Sequence, residues 1–133
     1  PDYAKLTCDT RYTDYALLEE VLPKLQAIAD KQYVPDTKTV LKTVTEFQSM
    51  DEVPGTAALL QLVQEAAAEC NLPQPTAKAV GGGSDSAYAT AAGVPTICAI
   101  GVQGARNHTA EEFAVVDTLF SRCKLFATIM LNI

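Results

Sequence analysis

The sequence predicts an α/β fold, because segments with the period of a strand alternate with segments with the period of a helix. Residues 1–47 have the predicted order β-α-β, and residues 48–133 have the predicted order α-β-α-β-α. Between them the connector QSMDEVPGT contains Pro and Gly and marks the boundary of the two units. The chain of 133 residues, 48% hydrophobic and 20% charged, has the composition of a globular domain.

The first unit is predicted from two strand patterns that flank one helix. Residues 4–10 alternate apolar and polar, which indicates a half-buried strand. Asp14 is positioned to cap a helix whose apolar residues recur at helical spacing over residues 17–29, and Pro23 predicts a kink or a late start there. The β-branched run TKTVLKTVTEF, residues 37–47, predicts the second strand.

The second unit begins with a helix that Thr56 would cap and that ends near Cys70. A short strand over residues 76–80 and a glycine turn over residues 81–83 follow. The inward stripe of the helix is predicted to contain Leu59, Leu62, Val63, Ala66 and Cys70.

A short helix, a strand and a long helix complete the second unit. Ser84 or Asp85 would cap the short helix, and Gly93 would end it. VPTICAIG, residues 94–101, predicts a buried strand, and Asp117 is the predicted cap of the last helix. The residues of that helix predicted to face the core are Leu119, Phe120, Cys123, Phe126, Ala127 and Met130.

Charge and cysteine usage limit the partners and the compartment. The formal net charge is -6 and Lys and Arg do not cluster, which argues against nucleic acid and anionic membrane as partners. Apolar runs fall well short of the roughly 20 residues of a membrane span. The cysteines are widely spaced within apolar segments, which predicts buried thiols and a cytoplasmic location.

Parallel pairing of the two strands of the second unit would bring Ser84 and His108 to one sheet edge. Each follows the carboxyl end of a predicted strand, and ligands bind at that edge in open α/β sheets. The glycines lack the Lys of a phosphate loop. Two chemistries stay open: a serine nucleophile with His108 as base and Asp117 as its orienting group, or a metal site that contains His108. HTAEE also predicts a capping box between Thr109 and Glu112 that opens a helical turn.

Three motifs in order, GGGSD, GVPT and GVQGARNHTAEE, resemble the C-terminal segment of the M20 metallopeptidases. The resemblance is to the group of glutamate carboxypeptidase, acetylornithine deacetylase and succinyl-diaminopimelate desuccinylase. PDYAKLTCDTRY is similar to the segment that enters the second half of the lid domain in that family. The resemblance implies that residues 1–47 are half of a lid, or dimerisation, domain and that residues 48–133 complete the catalytic domain.

The resemblance also implies chemistry and site residues. Members hold two zinc ions, hydrolyse the amide bond of a peptide or an N-acyl amino acid with a free carboxylate, and often form homodimers through the lid. By match to the motifs, His108 is the implied metal ligand and Gly82, Gly83 and Ser84 line the substrate pocket. Supporting or capping roles are expected for Asp85, Thr109 and Glu112.

The same resemblance predicts what these residues do not supply. The remaining ligands and the Glu general base lie in the N-terminal half of such enzymes, so we expect a fragment without catalytic residues of its own and without activity alone. Gln48 stands where many relatives have Arg, and Arg106 is a candidate replacement for that cation. Two alternatives remain: a serine hydrolase that uses Ser84 and His108, and a non-catalytic interaction module.

Overall fold

The computed structural model describes residues 2–133, so Pro1, where the predicted first unit begins, lies outside the described residues. In chain order the elements are α1 (Tyr15–Asp30), α2 (Thr56–Glu69), α3 (Ser86–Ala91), β1 (Gly104–Ala105), β2 (Phe113–Ala114) and α4 (Val116–Leu131). This mixture of helices and strands confirms the predicted α/β class. Across the described part of the chain no helix is both long and apolar enough to cross a membrane.

The core lies between α2 and α4. Val63 and Ala66 of α2 pack with Leu125 and Ile129 of α4, and these four side chains are at most 7% exposed. Cys70 Sγ lies 3.3 Å from Thr128 Oγ1, a second contact between the same two helices. The predicted stripe of α2 is therefore confirmed at Val63, Ala66 and Cys70.

The helix boundaries follow from local signals in the sequence. Asp14 caps α1 as predicted, since its Oδ1 accepts a hydrogen bond of 2.8 Å from the Ala16 N–H. α1 runs through Pro23 as one helix. Gly93 follows α3 with φ of 82°, the left-handed conformation that glycine adopts without steric cost. Thr56 is the first residue of α2 and its hydroxyl accepts from the Val53 N–H, so the predicted cap at Thr56 is wrong.

The strands are where prediction and structure differ. The segments 4–10, 37–47, 76–80 and 94–101 have no ladder partner among residues 2–133, so the predictions of strands there are wrong. The sheet that the structure does contain is the antiparallel pair β1–β2, with Gly104 opposite Ala114. Because a strand is stabilised by hydrogen bonds to a neighbouring strand, a favourable periodicity does not form one by itself.

The orientation of α4 also differs from the prediction. Leu125 and Ile129 face α2, whereas all six residues predicted to face inward are exposed, among them Phe120 and Met130 at 70% and 69%. α4 is apolar on more than one side, so the choice of the buried side depends on α2 and not on α4 alone. Among the cysteines, Cys70 is buried as predicted, but Cys8, Cys98 and Cys123 are exposed.

Candidate functional site

The glycine turn, residues 81–84, lies directly before α3. The Ser84 hydroxyl accepts a hydrogen bond of 3.2 Å from the Ser86 N–H, and the Ser84 carbonyl accepts from the Ala87 N–H at 3.0 Å. Ser84 therefore provides the side-chain cap of α3, whereas Asp85 makes no capping bond with its side chain. Gly82 has no atom within 4 Å of the position that a Cβ would take, so this part of the turn is open to a ligand.

Residues of the first predicted unit cover one side of the glycine turn. Arg11 Nη1 donates to the Gly81 carbonyl at 3.1 Å, and the Phe47 ring lies 3.6 Å from the Cβ position of Gly83. Tyr12 donates its hydroxyl proton to the Phe47 carbonyl, which ties these two segments together. Sequence reasoning missed this contact because Arg11 and Gly81 are far apart in the sequence, although DTRY was one of the segments that carried the resemblance.

The thiol of Cys98 lies beside Ser84 at the glycine turn. Ser84 Oγ lies 3.1 Å from Cys98 Sγ. Hydrogen bonds from Ser84 and then from Ser86 lower the pKa of the Cys98 thiol, since they stabilise the thiolate; partial burial acts in the opposite direction, and the Ala99 backbone adds a smaller lowering. Sequence reasoning did not assign Cys98 to the site, because Cys98 lies within the segment 94–101 that was predicted as a buried strand.

His108 lies in the connection between β1 and β2, which makes a hairpin. Its side chain is exposed. Thr109 hydrogen-bonds the Arg106 carbonyl through both its N–H, at 3.2 Å, and its hydroxyl, at 2.7 Å. Glu112 Oε2 accepts a hydrogen bond of 3.3 Å from the His108 N–H. A shallow pocket of about 370 Å³ adjoins this hairpin and is lined by Val102, Gly104, Asn107, Glu112, Phe113 and Ala114.

The capping box predicted between Thr109 and Glu112 does not form, and no helix begins in the HTAEE segment. Glu112 bonds the N–H of His108 instead of that of Thr109, and the Thr109 hydroxyl accepts from the Glu111 N–H at 3.2 Å. The chain then enters β2, where Phe113 and Ala114 pair with β1. Extended pairing after Glu112 prevents the segment from continuing as a helix.

The structure does not connect the two ends of the predicted crevice. From Asp2 to Ile133 the hydroxyl of Ser84 bonds Ser86 and Cys98, and His108 makes its hydrogen bond to Glu112. No hydrogen bond joins Ser84, His108 and Asp117 within this range, so the serine hydrolase alternative gains no support. The parallel sheet edge on which their proximity was predicted does not form here.

Two candidate cations have different surroundings. Arg106, the predicted replacement for the cation absent at Gln48, forms an ion pair with Glu111. Arg11 contacts the glycine turn itself and also pairs with Asp9 at 3.2 Å. Both arginine side chains are at least 60% exposed, so both guanidinium groups are open to solvent on one side.

The described residues do not by themselves supply a zinc site. In residues 2–133 no three side chains of His, Cys, Asp or Glu lie close enough together to hold a metal ion. A catalytic zinc site takes about three protein ligands. His108 fits as one of them, since its imidazole is exposed and its backbone is held, but the described residues alone do not form the site.

The comparisons with known proteins give one match. A family model described as peptidase family M20/M25/M40 matches residues 18–132. No curated protein and no solved structure matches the chain. The match spans the glycine turn, Cys98 and the whole His108 hairpin.

Proposed function

The chain belongs to peptidase family M20/M25/M40, and from that premise we propose that it forms one wall of the active site of a zinc-dependent amidohydrolase. The family is one of peptidases, so the reaction class is hydrolysis. The substrate is a peptide or an N-acyl amino acid with a free carboxylate. The observation that carries the proposal is the exposed imidazole of His108 on a hairpin within the matched residues.

His108 is the metal ligand that this chain contributes. The ring faces solvent, which leaves its nitrogen atoms free to bind a metal ion. The other ligands and the general base belong to a part of the protein outside these 133 residues, so the chain alone has no hydrolytic activity in this proposal. Two zinc ions are expected in the intact enzyme, and the chemistry that they supply is Lewis-acid polarisation of the scissile carbonyl.

The glycine turn is the substrate wall. Gly82 leaves its backbone open, so an anionic carboxylate can approach the peptide N–H groups at Gly82, Gly83 and Ser84 closely. Arg11, at the edge of this turn, supplies the positive charge that Gln48 lacks. Both arginines are ion-paired, Arg11 with Asp9 and Arg106 with Glu111, and Arg11 is preferred because it also hydrogen-bonds the glycine turn.

The organisation of the intact enzyme completes the proposal. Residues 1–47 belong to a lid domain through which a homodimer forms, and residues 48–133 complete the catalytic domain. Exposed apolar side chains in the first of these units, Leu6 and Val44 at 85% each, are consistent with such an interface. We place the enzyme in the cytoplasm, where unpaired thiols such as those of this chain are usual.

Replacement of His108 tests the metal assignment. In the intact enzyme His108→Ala is expected to lower the zinc content, measured by elemental analysis, and to lower activity by at least about tenfold, because loss of an outer-shell partner of a metal ligand already costs about that much. Lys38 is also exposed and lies in an irregular segment, so Lys38→Ala is the control and should keep both the zinc content and the activity. Unchanged zinc content in His108→Ala would refute the assignment.

Replacement of Arg11 tests the carboxylate anchor. Arg11→Gln is expected to raise KM for substrates with a free carboxylate by about tenfold, the size of one lost charge-assisted hydrogen bond. The KM for substrates in which an amide replaces the free carboxylate should change little in Arg11→Gln, because these substrates make no ion pair with Arg11. Arg106→Gln is the matched control. A larger rise in KM in Arg106→Gln than in Arg11→Gln would reverse the two assignments.

A further inference from the structure

The backbone around His108 has a conformation that side chains other than glycine seldom adopt. Arg106 and His108 have φ of 61° and 65°, in the left-handed region where Cβ crowds the following carbonyl oxygen. Such residues keep this conformation where surrounding contacts hold them. The direction in which the imidazole leaves the loop therefore depends on those contacts.

Two adjacent carboxylates contact the loop in different ways. Glu112 Oε2 accepts from the His108 N–H at 3.3 Å, and the Glu112 N–H donates to the Thr109 carbonyl at 3.2 Å. Glu112 thus closes the loop on both sides of the His108–Thr109 peptide unit. Glu111 instead directs its carboxylate to the guanidinium of Arg106. The contact with the backbone of His108 belongs to Glu112.

The position of Glu112 is set in turn by Gly104. A Cβ at Gly104 would clash with the carbonyl oxygen of Phe113, the residue that follows Glu112, because it would lie closer than real Cβ atoms come to such an oxygen. Gly101, the first glycine of GVQG, has no atom within 4 Å of its Cβ position. The requirement at Gly104 is close approach of two backbones, since its φ lies outside the left-handed region.

We propose that Gly104 and Glu112 are positioning residues that together hold His108 in the orientation in which it binds its ligand. Gly104 lets β2 approach β1, this approach brings the carboxylate of Glu112 under the loop, and the carboxylate fixes the His108 N–H. Neither residue touches the bound group in this arrangement; both act through the backbone of His108. The functional meaning of this orientation rests on the proposed function, but the arrangement itself does not.

The experiment measures the His108 amide in the 133-residue chain by hydrogen exchange and by its ¹⁵N–¹H signal. Glu112→Ala is expected to speed exchange of this amide about tenfold, the order of one hydrogen bond to a charged acceptor. Glu112→Gln retains an acceptor oxygen and should restore the slow exchange. Glu111→Ala should leave the amide unchanged.

The glycine pair provides the second arm. Gly104→Ala is expected to shift the His108 signal and to speed exchange at least as much as Glu112→Ala, whereas Gly101→Ala should do neither. Far-UV circular dichroism, which reports the helices, should stay the same in all variants and so shows that the chain is folded. Equal effects of Glu111→Ala and Glu112→Ala, or an unchanged amide in Gly104→Ala, would overturn the proposal.

Failure here and failure of the proposed function are distinguishable. Faster exchange in Glu112→Ala together with unchanged zinc in His108→Ala would keep the positioning role and remove the metal assignment. Zinc loss in His108→Ala with no change of exchange in Glu112→Ala would do the reverse.

Discussion

The α2–α4 pair and the His108 hairpin are stabilised by different kinds of contact. Leu125 and Val63, between the two helices, are at most 1% exposed, whereas every residue from Gly104 to Ala114 is exposed. The helices are held by apolar burial, and the hairpin is held by short-range hydrogen bonds and by one close backbone approach at Gly104. The difference teaches that the stability of this chain and the geometry of its candidate site can be changed separately.

The largest expected effect is the loss of a buried side chain between the helices. Leu125→Ala removes a side chain that is 0% exposed and leaves a cavity, so the free energy of unfolding should fall by about 2–5 kcal/mol. Urea denaturation followed by circular dichroism measures it. Leu131→Ala, on the same helix and 86% exposed, is the control and should change the value by less than about 0.5 kcal/mol. Similar losses in the two variants would contradict the assignment of the core to this face of α4.

A smaller effect is expected where the core meets the irregular segment 94–101. Gly55, at the start of α2, has φ of 98°, and a Cβ there would lie 2.9 Å from Pro95 Cγ. Gly55→Ala should lower the free energy of unfolding by about 1–2 kcal/mol, the cost of a left-handed conformation with a Cβ. Gly82→Ala, with open space around it, should leave stability nearly unchanged in the same urea titration. Equal costs of the two substitutions would show that neither the left-handed φ of Gly55 nor its close approach to Pro95 makes this position require glycine.

The sequence predicted where the helices lie because helical periodicity is local, but it predicted the caps only in part: Thr56 is the first residue of α2, and Asp117 lies in the first turn of α4, whose N-cap is Val115. The Asp14 cap and the stop at Gly93 were both predicted and are both present. Strand segments could not be located, because a strand exists only with a partner, and alternation in residues 4–10 does not name one. The inward face of α4 depends on where α2 lies, which periodicity in a helix that is apolar on several sides does not specify.

The residues of the candidate site were predicted from the sequence, but the contacts that hold them in place were not. His108 and the glycine turn were found by their motifs, and their roles stay predictions. The hydrogen bond between Arg11 and Gly81 joins parts of the chain that are distant in the sequence, and a local sequence pattern does not predict such a contact. Gly104 is part of a motif, as the second glycine of GVQG, so the sequence marked the position. Why glycine is required there could not be predicted, because the group that a Cβ would meet is the carbonyl of Phe113 on the opposite strand.

The smallest expected effect concerns the chemistry of the thiol beside the glycine turn. The hydrogen bond from Ser84 lowers the pKa of Cys98, so the reactive thiolate forms at lower pH than in an isolated cysteine. Ser84→Ala removes that bond, so the pKa of Cys98 should rise and the pH profile of its alkylation should move to higher pH. Ser84→Thr keeps the hydroxyl and is the matched control. Mass spectrometry resolves Cys98 from Cys8 and Cys123, which are also exposed.

A profile of Cys98 that does not move in Ser84→Ala would show that Ser84 does not stabilise the thiolate. Because Ser84 also caps α3, Ser84→Ala should lower the free energy of unfolding by about 1 kcal/mol, less than Leu125→Ala does, so the chemistry at this exposed turn changes at little cost to the α2–α4 core.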